Sequence, residues 1–145
     1  MLRQEEADAL IDMEKLFASN DPIQLPGPGA YLERQLVSAD ERKSFLLDVN
    51  RRGRILTARC TYQMRYQVTI HLLRLDVNGP PHTNPDDEHL AGPHIHRYRE
   101  GYDDKWADPV SEPDFPNLGD VRDTFLRFLD VCNVVEIPDI QGVLL

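Results

Sequence analysis

From Leu56 to Leu72 every even-numbered position is apolar, and every odd-numbered one is Thr, Arg, Gln or His. A period of two means β structure with one face buried and the other wet. Seventeen residues run as one straight strand would span roughly 56 Å at ~3.3 Å per residue, too long for a small domain. The run is therefore expected to break near Gln63–Gln67 into two strands, or to bend at a bulge. At "HLLRLDVNG" the phase slips by one, so that Leu73, Leu75 and Val77 become the apolar set. A bulge at Leu72–Leu73 produces that slip and keeps His71, Arg74 and Asp76 on the polar face.

The flanking segments are shorter and mixed. "EEADALIDMEKLF" places Ala9, Leu10, Met13, Leu16 and Phe17 on one stripe of a helix, and the Pro/Gly-rich "SNDPIQLPGPG" ends it. "AYLERQLV" (30–37) and "SFLLDVN" (44–50) read as strands, with turns at "SADERK" and "RRGR". "NGPPHTNPDDEHLAGP" is a long loop, "HIHRYR" returns as a strand, and "LGDVRDTFLRFLDVCNVV" is an amphipathic helix started by Gly119-Asp120. "EIPDIQGVLL" reads as an edge strand or a tail. The expected fold is α+β, a single domain over residues 1–145. It has a four- to five-stranded curved antiparallel sheet with an N-terminal and a C-terminal helix packed on one face. The opposite face is left basic and open.

Charge fits that layout. The net charge is −9, which argues against a general nucleic-acid binder. Yet residues 23–82 carry nine Lys/Arg against five acids, while both ends of the chain are acidic. That distribution leaves room for a local basic face. Cys60 and Cys132 are far apart and lack metal-ligand spacing, so they read as reduced core thiols of a cytoplasmic protein. There is no apolar run of membrane-spanning length, and "MLRQEEADALIDMEKLF", which alternates acids with apolar residues, is expected to be neither a signal peptide nor a transit peptide.

All five histidines fall between His71 and His96. In "HIH" two imidazoles stand two residues apart, so a strand puts them on one face. Three readings of the polar face compete. One is a metal site: "HIHRYRE" supplies His94, His96 and Glu100, a spacing that resembles cupins, with His82 as a further imidazole. Another is metal-independent RNA cleavage, in which histidines move protons and arginines hold the phosphate. For it the catalytic candidates are His94, His96, Arg74, His71 and Asp76, and the substrate-binding candidates are Arg59, Arg65, His82, Tyr98, Arg99 and Lys105. The third is a non-catalytic binding module, since "HRYREGYDDKW" is rich in interface anchors. Burial of His94 and His96 between sheet and helix would defeat all three.

"LLRLDVNGPPHTNP" followed by "GPHIHRY" resembles the arginine-x-aspartate, proline-histidine, proline-histidine-x-histidine order of small bacterial toxins of the TumE type, over residues 72–98. That resemblance implies a short α+β protein with a RelE- or barnase-like sheet, acting on RNA and paired with an antitoxin. The whole chain also resembles a family of uncharacterised bacterial and phage-borne proteins whose hallmark is "GPHIHRYREGYDDKWA". The expected partners are an RNA substrate, a cognate antitoxin or other protein, and a second copy of the chain in a homodimer. No cofactor and no membrane is expected.

Overall fold

The computed structural model describes residues 1–52 and 59–141. Gly53 and Arg54 of the "RRGR" turn and the first members of the alternating run, Leu56 and Ala58, lie outside the described residues, as does the end of the C-terminal segment. The elements in chain order are α1 (Gln4–Asp12), β1 (Lys15–Phe17), β2 (Ile23–Gln24), β3 (Tyr31–Ser38), β4 (Ser44–Asn50), β5 (Cys60–Tyr66) and β6 (Ile70–Val77). They continue with β7 (His82–Thr83), β8 (His89–Leu90), β9 (His94–Arg97), β10 (Ala107–Pro109), α2 (Val121–Val131), β11 (Val134–Val135) and β12 (Ile140–Gln141).

The sheet is larger than a four- to five-stranded one. Eight strands join in the order β10-β9-β6-β5-β4-β3-β1-β11, and two two-stranded pairs, β12-β2 and β7-β8, stand apart from it. It is antiparallel apart from the parallel contact of β1 with β11. The extra strands are only two or three residues long, too short to carry a period. The N-terminal helix is correspondingly shorter than its apolar stripe. It buries Ala7, Leu10 and Ile11 and stops at Asp12, and Lys15–Phe17 turns extended to pair with Leu36–Ser38. Ala9 is left exposed.

The central alternation behaves as its period demands. β5 and β6 form a hairpin turning at Gln67–Thr69, where Gln67 takes a left-handed φ of 56°. Met64 pairs with Leu73 and Arg65 with His71, so Leu72 is the bulged residue. Cys60, Tyr62, Met64, Leu73, Leu75 and Val77 then join one core with residues from both helices, among them Leu10, Ile11, Phe125 and Phe128. Each fully buried Phe contributes roughly 1.5–3 kcal/mol by leaving water. α2 begins as expected, with the Asp120 carboxylate accepting a 3.0 Å hydrogen bond from the Asp123 amide.

Both cysteines are free and buried. Burial pushes the Cys60 thiol up to about 11 and the Cys132 thiol up to about 12, so neither presents the reactive thiolate at neutral pH. Iodoacetamide at pH 7.5 is expected to alkylate neither in the native chain and both after denaturation. Rapid native labelling, read by mass spectrometry, would contradict this burial. Among the described residues no helix is long and apolar enough to cross a membrane.

Candidate functional site

The wet face of the hairpin organises the site through register. Asp48 pairs with Gln63, Gln63 with Arg74, and Arg74 with His96. In the next row Thr61 pairs with Asp76 and Asp76 with His94. These side chains therefore stand side by side on the face opposite Tyr62 and Leu75. His94 and His96 are buried, 2 % and 1 % exposed, yet they do not lie between sheet and helix. What covers them is the loop after β6: Pro80, Pro81 and His82 wall a cavity of about 370 Å³ whose remaining lining is Arg59, Thr61, Arg74, Asp76, His94 and His96. That volume suits a nucleotide-sized ligand.

The loop is a small flap, and its clamp is Asn84. This buried side chain accepts from the Ala107 amide at 2.8 Å and donates to the Ala107 carbonyl at 2.9 Å, completing both backbone groups of a β10 residue. His82 Nε2 donates to the Lys105 carbonyl at 2.8 Å, and its ring stacks on His94 and meets His96 edge-on. Asn84→Ala leaves a buried amide and a buried carbonyl without partners, a loss of about 2 kcal/mol. Amide hydrogen exchange at Thr83 and His89 is expected to accelerate well before the rest of the sheet. Unchanged exchange there would show that something else holds the flap.

Asp76 is the hub. Its Oδ2 lies 3.2 Å from His94 Nε2, 3.3 Å from His96 Nε2 and 3.4 Å from Arg74 Nε, and its Oδ1 accepts from Thr61 Oγ1 at 3.2 Å. Burial works to raise its carboxyl, but the His96 contact and the charge of Arg74, joined by that of either imidazole when it is protonated, outweigh that and hold it below the ordinary range. It is the site's anion. Each imidazole is oriented from behind by a main-chain carbonyl: His94 Nδ1 donates to Gly92 at 2.9 Å, and His96 Nδ1 to Asp104 at 2.7 Å. In the neutral rings each Nε2 then carries the electron pair and stands beside Asp76 Oδ2. Arg74 donates to His96 Nε2 at 2.9 Å and to Asp104 Oδ2 at 3.0 Å, so it ties the cluster together. The ligand atoms of Asp76, His94 and His96 all lie within 4.8 Å of one another, so they can hold a metal ion.

Of the other predicted residues, Arg59 and His82 line the cavity with the cluster. His71 does not. Its Nδ1 is 3.0 Å from Gln63 Oε1 and 3.6 Å from Asp104 Oδ2, so it touches the cluster only through Asp104. Arg65 is held by Asp48 through bonds of 2.8 and 2.9 Å. Tyr98 lies in the core, its hydroxyl donating to the Leu2 carbonyl at 2.7 Å. Arg99 covers the Trp106 ring and Lys105 is exposed. Glu100 accepts from the Gln4 amide at 2.8 Å at the start of α1, away from the two histidines it was expected to join. Asp76 holds that place instead. Asn84, Asp104 and Thr61 were not singled out by the sequence, although Asn84 stands in the quoted "HTNP". A larger, apolar cavity of about 560 Å³ lies around Leu90, Pro93, Val110 and Phe115. The charged cluster lies in the smaller one.

Fold and site together define an α+β protein whose curled sheet carries a buried His-Asp-His cluster beneath a proline-walled flap. The chain belongs to the family of unknown function DUF6978, which matches residues 2–134. No curated protein and no solved structure matches it.

Proposed function

We propose that this protein is an RNA-cleaving enzyme of the bacterial toxin type, acting in the cytoplasm and held in check by a cognate antitoxin. One observation carries the reading. All the charged and imidazole members of the motif that resembles TumE-type toxins meet in one cavity: Arg74 and Asp76 from β6, His82 beside Pro81 from the flap, and His94 and His96 from β9. Residues up to 22 positions apart converge on a space that fits a nucleotide.

The roles follow from contacts. Arg59 and Arg74 supply the positive charge that receives a phosphate, and Arg74 offers the bidentate geometry that phosphate favours. His82 donates from Nε2 to Lys105, so its neutral ring keeps the Nδ1 lone pair and is suited to take the 2′-hydroxyl proton. The freed oxygen attacks phosphorus. The departing 5′-oxygen takes its proton from a water in the cavity, and the hydroxide so formed is neutralised by the proton that His82 took from the 2′-hydroxyl. His94 and His96 do not straddle a phosphate themselves, because both face the same carboxylate oxygen.

The test is expression of the full chain without its genomic neighbours, together with incubation of the purified protein with bacterial RNA. Growth arrest and RNA fragments ending in 5′-hydroxyls are expected. Harmless expression with intact RNA would sink the reading and leave a binding module.

A further inference from the structure

We infer that Asp76, His94 and His96 form a site for one divalent transition-metal ion, whose open positions face the flap cavity. The inference deepens the reading of that cavity as the reaction centre. Its first support is a matter of lone pairs. With both Nδ1 atoms donating to carbonyls, each neutral ring keeps its one electron pair at Nε2; His96 turns that pair to Arg74 at 2.9 Å, with Asp76 Oδ2 only 3.3 Å away. His94 Nε2 stands 3.2 Å from the same carboxylate oxygen. Facing acceptors repel unless a cation lies between them. In the structure that cation is Arg74, whose Nε and Nη2 touch Asp76 and His96.

The spacing is the second support. Ligand atoms bound at ~2.0–2.1 Å around a tetrahedral ion are separated by about 3.3 Å. The two Nε2–Oδ2 distances, 3.2 and 3.3 Å, match that edge. Third, the orientation of each ring by Nδ1–H donation to a carbonyl is the outer contact that metal-bound histidines use. Two imidazoles and one carboxylate suit Zn²⁺, Fe²⁺, Mn²⁺, Co²⁺ or Ni²⁺ rather than Ca²⁺ or Mg²⁺, and three protein ligands leave room for water or substrate. Arg74 is the competitor. It yields by turning toward Asp104, which it already bonds at 3.0 Å, and its charge then faces an incoming phosphate.

The experiment uses the untagged full chain, stripped with EDTA, re-equilibrated and titrated with Zn²⁺ and with Mn²⁺ by calorimetry. One ion of at least one of these metals per chain is expected. Asp76→Asn and His94→Gln should each weaken binding by about 100-fold or more, since even outer-shell changes cost 10–100-fold. Glu100→Gln should not. Circular dichroism checks that the variants fold, and a readout on the native chain needs no variant. Zn²⁺ should shift the Nε2 nitrogen resonances of the two imidazoles whose Nδ1 atoms stay protonated. A folded native chain that takes up neither metal overturns the site, as do nitrogen shifts confined to His71 or His89. Metal uptake is read apart from cleavage. A chain that binds Zn²⁺ but leaves RNA intact keeps the site and overturns the RNA reading. One that cleaves RNA equally well after EDTA and binds no metal does the reverse.

Discussion

Replacing Arg74 with alanine is expected to slow RNA cleavage by about 10²–10⁴-fold, the range set by losing one preorganised charge contact to a developing phosphorane. The guanidinium bridges Asp76, His96 and Asp104 at 3.4, 2.9 and 3.0 Å, while its side chain stays about one quarter exposed to the cavity, at 27 %. It therefore orders its acidic and imidazole partners, and on the proposed reading of the cavity it also presents charge to the substrate. Arg74→Lys should rescue only part of the rate, because an ammonium is a point charge and cannot make the planar paired contact. Arg127→Ala, on an α2 arginine that faces Asp123 at 3.9 Å, should leave cleavage at the native rate. The variants are compared by single-turnover cleavage after their folding is checked by circular dichroism. Native-rate cleavage by Arg74→Ala would remove the residue, and with it the phosphate-binding role of the cavity.

The parts of this fold legible in the sequence are those long enough to show a period. Alternation from Cys60 to Val77 specifies two strands, their buried faces and the Leu72 bulge, since one slipped residue moves every later side chain to the other face. The 3.6-residue stripe of Phe125, Phe128 and Leu129 likewise specifies α2. Elements such as Ala107–Pro109 and Val134–Val135 are created by the neighbours they pair with. Lys15–Phe17 shows the limit most plainly. Its spacing continues the stripe of α1, but pairing with both β3 and β11 overrides local preference.

The site follows the same logic. His94 and His96 share a face by strand geometry alone, so that pairing is readable within four residues. Their carboxylate is not. Glu100 is near in sequence, whereas Asp76 is near because β6 and β9 pair with Asp76 opposite His94, a fact of register between strands. Tyr98 continues the 94–96 alternation on paper. β9 stops at Arg97, however, and the Tyr98 amide bonds to the carbonyl of bulged Leu72 at 2.9 Å, so its ring enters the core. The sequence order Arg74-x-Asp76, His82, His94-x-His96 names residues that meet in the fold, and the fold adds the clamp, Asn84.

Lys15→Met is expected to destabilise the protein by about 3 kcal/mol, lowering its melting temperature by roughly 10 °C. Lys15 is fully buried at 0 % exposure, and its ammonium donates 2.8 Å bonds to the carbonyls of Ile11, Met13 and Cys132. Those oxygens lie at the C-terminal ends of α1 and α2, so one cation completes both helices and faces both negative dipole ends. The opposing effect is desolvation, which pushes the Lys15 amine from 10.5 down to about 8. Methionine removes that cost and fills the space, but it leaves three buried carbonyls without donors. At ~1–3 kcal/mol each, the orphaned acceptors win. The pH dependence tests the assignment separately. The folded amine releases its proton near 8 and the unfolded one near 10.5, so between those values the unfolded chain binds more protons. Stability from this residue therefore rises with pH across that window. The difference in unfolding free energy between native chain and Lys15→Met should widen from pH 8 to 10.5. A constant difference would show that Lys15 titrates alike in both states and that burial does not tune it.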